Sequence, residues 1–187
     1  MKIKCLFLVA FMLAVSSIGF AQSKTKSSKQ VTAQEKKDLF QLISKDNLLI
    51  EMLKSPWMKK VEDKTAQSME VTKIDLNNDG KLEYMVELDG EDFCGLAGNC
   101  LNWIYGKNGG KYSLLLNTNT REIDFEKTST NKFPDLITED RGGEFGKYYV
   151  VIYKFNGNKY EAKKCFDRFY AKYKLVKTVP TVCKETD

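Results

Sequence analysis

From Met69 onward the chain breaks into short segments in which apolar and polar residues alternate. "MEVTKIDL" and "EYMVEL" alternate with period two, and "LNWIYG", "KYSLLL", "REIDFEK", "YYVVIYKF" and "KYEAKK" are short, aromatic or β-branched, and separated by Gly, Asn and Asp. A period of two with turn residues between the runs specifies antiparallel strands joined by hairpins. The period is different before Pro56. Thr32 followed by Glu35 forms a capping box, and Leu39, Phe40, Leu42 and Ile43 give the helix that follows an apolar face. Asp46 or Asn47 caps a second short helix carrying Leu48, Leu49, Met52 and Leu53, with Pro56 as its stop. Helices first and strands afterwards predict an α+β chain, mainly antiparallel β.

The strand region carries an internal repeat. "WIYGKNGGKY" reads against "VIYKFNGNKY", which matches Tyr105 with Tyr153 and Tyr112 with Tyr160, and "LEYMV" reads against "PDLIT" just upstream of each. Two hairpin-based, blade-like units are too few to close a propeller, so the expectation is a small sandwich behind an N-terminal helix or helix pair. Duplication and convergent hairpin chemistry both explain the repeat.

The N-terminus sets the compartment. Lys2 and Lys4 precede the apolar run "CLFLVAFMLAV", and the small residues of "SSIGFA" follow it. This is the pattern of a secretory signal peptide over residues 1–21, cut after Ala21, with an uncleaved anchor as the alternative. The run is short for a membrane span, and Cys5 lies ahead of the apolar core, which argues against a lipid on that cysteine. Residues 22–31 are mostly polar and basic and read as a flexible tether. Residues 32–187 are expected to form one globular domain.

Export leaves four cysteines, Cys94, Cys100, Cys165 and Cys183. An even count in an oxidising compartment predicts two disulfides, and three pairings are possible. "CGLAGNC" has two glycines that let a short loop close, which favours Cys94–Cys100 and leaves Cys165–Cys183 to hold down the C-terminus. Zinc is the competing reading, but the spacing is not C-x-x-C. The sequence also contains no histidine, so neither Ser-His-Asp nor Cys-His catalysis is available. Losing Lys2 and Lys4 lowers the net charge from +5 to +3. That value, with no arginine-rich motif, gives no case for nucleic acid.

One stretch is dense in oxygen ligands. In "DLNNDGKLE", Asp75, Asn77, Asp79 and Glu83 fall at the first, third, fifth and ninth places and Gly80 at the sixth. A tight loop turned by Gly80 would point alternate side chains inward. Asp75, Asn77 and Asp79 would supply oxygens, the Lys81 carbonyl another, and Glu83 would reach back from the next strand. Ca²⁺ takes six to eight oxygens at about 2.3–2.6 Å, whereas Mg²⁺ keeps more of its water. An EF-hand is excluded, because its twelfth place needs a bidentate Glu and here holds Val86. The alternative is a plain hairpin turn, for which "NNDG" is well suited.

This pattern resembles the calcium loop of FG-GAP and VCBS-type repeats, in which a D-x-[DN]-x-D-G-x-x-[DE] segment joins two strands. The resemblance runs more loosely through "CGLAGNCLNWIY", "GGKYSLLL", "NKFPDLI" and "YKFNGNKY", as in small exported bacterial proteins that carry one such loop. It implies a structural calcium ion. "TSTNKFPD" in the second unit lacks the aspartate triplet, so a second site is not expected.

Other clusters have weaker claims. Glu87, Asp89, Glu91 and Asp92 crowd beside Cys94 and read either as a solvated surface or as acid–base carboxylates. "CFDRFYAKYKLVK" places Phe166, Phe169, Tyr170 and Tyr173 at helical spacing among basic residues, which fits core packing or a grip on a polyanion or sugar polymer. "DRGGEFG" reads as a mobile loop, and Trp57 and Trp103 as packed. No catalytic residue is assigned. The expected function is an exported, non-enzymatic binding module for a protein or envelope polysaccharide, periplasmic or extracellular. The alternatives are an inhibitor or immunity-type protein that inserts loop 89–100 or 140–146 into a lytic enzyme or toxin, and a carboxylate-based hydrolase.

Overall fold

The computed structural model describes residues 30–54, 65–141 and 145–183. The expected signal peptide, nearly all of the tether, Pro56 and Trp57 lie outside these residues. Helix α1 (Ala33–Ile43) starts at Thr32, whose side chain accepts the Glu35 N–H at 3.2 Å while the Glu35 carboxylate accepts the Thr32 N–H at 2.9 Å. Helix α2 (Asn47–Leu53) is capped by Asp46, which accepts the Leu48 N–H at 2.9 Å. Two short helical turns, α3 (Thr65–Ser68) and α4 (Glu91–Cys94), flank the first hairpin.

Nine strands form two antiparallel sheets among the described residues. The first runs in the order β1 (Met69–Ile74), β2 (Glu83–Leu88), β3 (Cys100–Asn108) and β4 (Lys111–Thr120). The second runs β5 (Glu122–Thr130), β6 (Phe133–Arg141), β7 (Lys147–Phe155), β8 (Tyr160–Ala171) and β9 (Lys174–Thr181). The predicted α+β, mainly antiparallel architecture is what the chain adopts. One local expectation fails: residues 165–177 form strands, not a helix, because the Phe166–Tyr173 segment straddles the end of β8 and its turn into β9.

Two cores hold these layers. Leu39, Ile43 and Leu49 of the helices pack on Val86, Leu88, Leu101, Trp103 and Tyr105 of the first sheet. On that sheet's other face, Leu76, Ile104, Leu115 and Leu116 meet Leu136, Val151, Tyr153, Phe155 and Tyr160 of the second sheet. Each such side chain contributes roughly 1.5–3 kcal/mol on burial.

The repeat extends to hydrogen-bond register. Tyr84 pairs with Tyr105 in the first sheet, and Leu136 pairs with Tyr153 in the second. The β3–β4 ladder shifts between Ile104 and Tyr105, and the β7–β8 ladder shifts between Ile152 and Tyr153, forty-eight residues later. A bulge leaves one residue of a strand unpaired and bends the ladder, and here both units bend at the same place.

The two units stack with the same orientation. Tyr84 faces the helices, whereas its counterpart Leu136 faces the first sheet. The second sheet therefore offers the first sheet the face that the first sheet offers the helices. Helices close one end of this stack. At the other end lies the outer face of the second sheet, with Tyr148 and Ile152 on β7 and Phe166 and Arg168 beside them on β8, all half-buried, and Val150 fully buried among them. These side chains alternate with residues that pack against the first sheet, and neither of the two core clusters includes them.

Candidate functional site

The Asp75–Glu83 loop joins β1 to β2 and closes on itself through its own side chains. Asp75 accepts the N–H groups of Asp79 and Gly80 at 3.1 and 3.0 Å. The Asn77 carbonyl accepts the Asp79 N–H at 3.0 Å, and its amide donates to Asp79 at 3.2 Å. Asp79 accepts the Lys81 N–H at 2.8 Å. Asn78 and Gly80 turn the chain with positive φ. Each carboxylate has about four lone-pair sites, so these backbone bonds leave acceptor capacity. The loop also has a packing role: Leu76 is buried between the sheets, and its N–H donates to Glu83 Oε2 at 2.8 Å.

Glu83 begins β2 and its carboxylate reaches back to the Leu76 N–H, with only 4% of its surface exposed. Burial raises its pKa, and the charges of Asp79 and Asp75 push it further up. Asp135 holds the equivalent place in the second unit and is 2% exposed. It accepts the hydroxyls of Thr130 and Thr128 at 2.6 and 2.8 Å and pairs with the Lys154 ammonium at 3.0 Å. Burial works against ionisation of Asp135, but these bonds outweigh it and lower its pKa. Where the second unit has Lys154, the first has Gly106. The buried acid of the first unit thus has two more acids nearby in place of a lysine.

The carboxylates of Asp75, Asp79 and Glu83 are not gathered within 4.8 Å of one another. Among the described residues the acid-and-cysteine group that tight is Asp89, Cys94 and Cys100. It is no metal centre, because Cys94 and Cys100 are joined as a disulfide and a metal requires thiolates. Cys165 and Cys183 form the second bridge, so the expected pairing is the one observed. Disulfides persist in oxidising compartments.

The acidic cluster beside Cys94 is partly assembled. Glu70 on β1 lies directly across from Glu87 on β2. Burial raises the pKa of Glu87, and the Asp89 and Glu70 charges add to the rise. The reading of residues 140–146 as a mobile loop falls partly on 142–144, outside the described residues. Its end is held fast: the Gly146 carbonyl accepts the Tyr170 N–H at 2.7 Å. Trp103 is buried in the helix-facing core as expected.

Sequence reading missed one network. Glu35 accepts from Lys73 Nζ at 2.6 Å and from the Tyr84 hydroxyl at 2.6 Å. Lys107 donates to the Tyr112 hydroxyl at 3.0 Å and sits over the rings of Tyr84 and Tyr112. The capping box marked Glu35, but no local pattern marks partners on β1, β2 and β3.

The ends of β8 and β9 form a ribbon beyond both cores. Phe166, Phe169 and Tyr170 are half-buried, and Tyr148 and Tyr170 pack edge to face at 5.1 Å. The turn residues Lys172 and Tyr173 both have positive φ, at 48° and 65°. Such a conformation costs a non-glycine residue about 1–2 kcal/mol.

No helix among the described residues is long and apolar enough to cross a membrane. Comparison with protein-family models, with curated proteins and with solved structures found no match to this chain.

Proposed function

We propose that the chain is an exported, non-enzymatic binding module, stabilised by two disulfides and by a calcium ion in the Asp75–Glu83 loop. Its partner is a protein or an envelope polysaccharide that seats on the outer face of the second sheet. The observation that carries this reading is the same-way stacking of the two units. Met85 and Ile104, which pack against the second sheet, correspond to Ile137 and Ile152 on that sheet's outer face. The face is built like a covered one, with Tyr148, Phe166 and Tyr170 as aromatic anchors and Arg168 paired to Glu139 at 3.4 Å. Aromatic and arginine side chains in such settings supply most of the binding energy at interfaces. Calcium is supported by the contrast between the units: Lys154 neutralises Asp135, while Glu83 lies among acids with no ion-pair partner among the described residues. Oxygen donors of Asp75, Asn77, Asp79, Glu83 and the Lys81 carbonyl suit this ion. The test is affinity capture from the native envelope fraction, with wild type and with Tyr148→Ala/Tyr170→Ala. A partner retained by wild type and lost with the double variant supports the face; identical captures defeat it.

A second reading rests on Leu96. It is fully exposed at the crown of the loop closed by Cys94–Cys100, a shape suited to inserting into the cleft of a lytic enzyme or toxin. In that case Leu96→Asp abolishes capture, while the sheet-face variant leaves it intact.

A further inference from the structure

We propose that the tip of the β8–β9 ribbon is a contact surface for an anionic lipid membrane. This goes beyond the sheet-face reading and does not depend on what that face binds.

The ribbon is built to project. Strand β9 is exposed along nearly its whole length, so no core holds it. It is held instead at its base, where Cys165 is joined to Cys183 and pairs in register with Thr181. The crosslink fixes the ribbon's root and leaves its tip to serve another purpose. At the tip the chain reverses through Lys172 and Tyr173, both with left-handed backbone. Turns of this kind normally take Asn-Gly. Here the sequence keeps two long side chains in an unfavourable conformation, and such outliers concentrate at ligand contacts.

The side chains at the tip specify the partner. Tyr173 is fully exposed, and Leu175 and Val176 are 52% and 63% exposed. Lys172, Lys174 and Lys177 lie among them, and no acid falls between Tyr170 and Val182. Lys177 lies over the Phe169 ring at 6.0 Å. Lys172 and Lys174 form no ion pair among the described residues. An amphipathic tyrosine with aliphatic neighbours suits the boundary between headgroups and acyl chains. Lysines can bury their stems there and hold their ammonium groups at lipid phosphates.

Two other occupants fit less well. A sugar polymer stacks on flat rings; Tyr173 offers one, but the exposed Leu175 and Val176 beside it offer none. A partner strand would add along the open edge of β9, but Lys174, Lys177 and Pro180 lie on that strand. Lysine and proline are the residues that blunt an edge, since proline has no N–H to donate.

The test is flotation of the full protein, purified from cells that process its N-terminus and checked by mass spectrometry. It is mixed with phosphatidylglycerol–phosphatidylethanolamine vesicles or with phosphatidylcholine vesicles. The expected result is flotation with the anionic vesicles only, lost as salt rises. Lys172→Glu/Lys174→Glu should bind at least about thirty-fold more weakly, from the usual contribution of a lysine near an anionic surface. Both positions are exposed, so the variant should keep the wild-type melting temperature. As a readout independent of that variant, the emission of Tyr173→Trp should move to the blue on anionic vesicles. Absence of flotation, equal binding to neutral vesicles, or undiminished binding by the charge-reversed variant each overturns the proposal. So does lysine-dependent binding to soluble polygalacturonate without flotation, which would assign the tip to a glycan.

Discussion

Glu83 and Asp135 are buried acids at the same place in two stacked units, but only Asp135 has a lysine beside it. Glu83 instead has Asp75 and Asp79 as like-charged neighbours. If calcium supplies the missing positive charge, adding it should raise the melting temperature of wild type, and chelator should reverse the rise. Glu83→Gln and Asp75→Ala should both abolish that response. They should differ in chelator. Glu83→Gln removes a buried like charge and should cost little, whereas Asp75→Ala takes the Gly80 N–H's acceptor and one of the two acceptors of the Asp79 N–H, and should cost about 0.5–1.5 kcal/mol. A wild-type melting curve indifferent to millimolar calcium refutes the ion and leaves a self-capped turn.

Removing the lysine of the second unit should expose the opposite dependence. Lys154→Met leaves Asp135 with its two threonine bonds but no counter-charge. A buried carboxylate losing its partner should cost about 1–3 kcal/mol, less than a bare charge because the hydroxyls remain. Lys154→Met/Asp135→Asn should recover most of the loss, because the charge and its partner then go together. Urea denaturation of the two single variants and the double variant gives the coupling directly. Additive losses would mean the pair contributes nothing of its own.

Acid should loosen the junction between helix α1 and the first sheet. Burial alone would raise the Glu35 pKa, but bonds from Lys73, Tyr84 and Thr32 outweigh it and bring it down to about 2. A carboxyl lowered in the folded state stabilises that state above its unfolded pKa, near 4.3. The contribution is lost as pH falls from there toward 2. It amounts to on the order of 1–3 kcal/mol at neutral pH, solvent screening at the Thr32 side bringing it below the full value of the shift. Glu35→Gln should be less stable than wild type at pH 7, and most of that gap should be gone by about pH 2.5, the rest closing as pH falls through 2. Parallel curves for the two proteins across that window would count against the network.

The strands were legible because half-buried antiparallel sheets impose a period of two, and the repeat because Tyr105 and Tyr112 recur as Tyr153 and Tyr160; the shared register shift appears only in the structure. The disulfides followed from count and loop length. The end of β8 was not legible for a physical reason. A bulge between Phe169 and Tyr170 resets the alternation, so Phe166, Phe169, Tyr170 and the turn residue Tyr173 fall at intervals that imitate a helix. The Asp75–Glu83 loop announced its oxygens, yet its contrast with the second unit needed Lys154 and Gly106 to be placed. Nor could alternation alone say which face of the second sheet is covered. It marks two faces of a strand and does not identify their neighbours.

Gly146 should tolerate no side chain. Its φ is +77°, and a Cβ there would lie 2.4 Å from the Tyr170 carbonyl oxygen, a backbone atom that cannot swing aside. The same contact holds the ladder together, since Tyr170 donates its N–H back to the Gly146 carbonyl at 2.7 Å. Gly146→Ala therefore combines an unfavourable backbone with a steric clash and should destabilise by on the order of 3 kcal/mol. For a chain of this size that is roughly 10 °C in melting temperature. Gly157 supplies the control. Its φ is +102°, but a Cβ there meets nothing within 4 Å, so Gly157→Ala isolates the backbone cost and should lose only about 1–2 kcal/mol. The difference between the two variants measures the close approach. If they melt together, the β7 and β8 backbones do not approach as closely in solution as they do here. The ribbon that continues from Tyr170 would then lack its footing on Gly146.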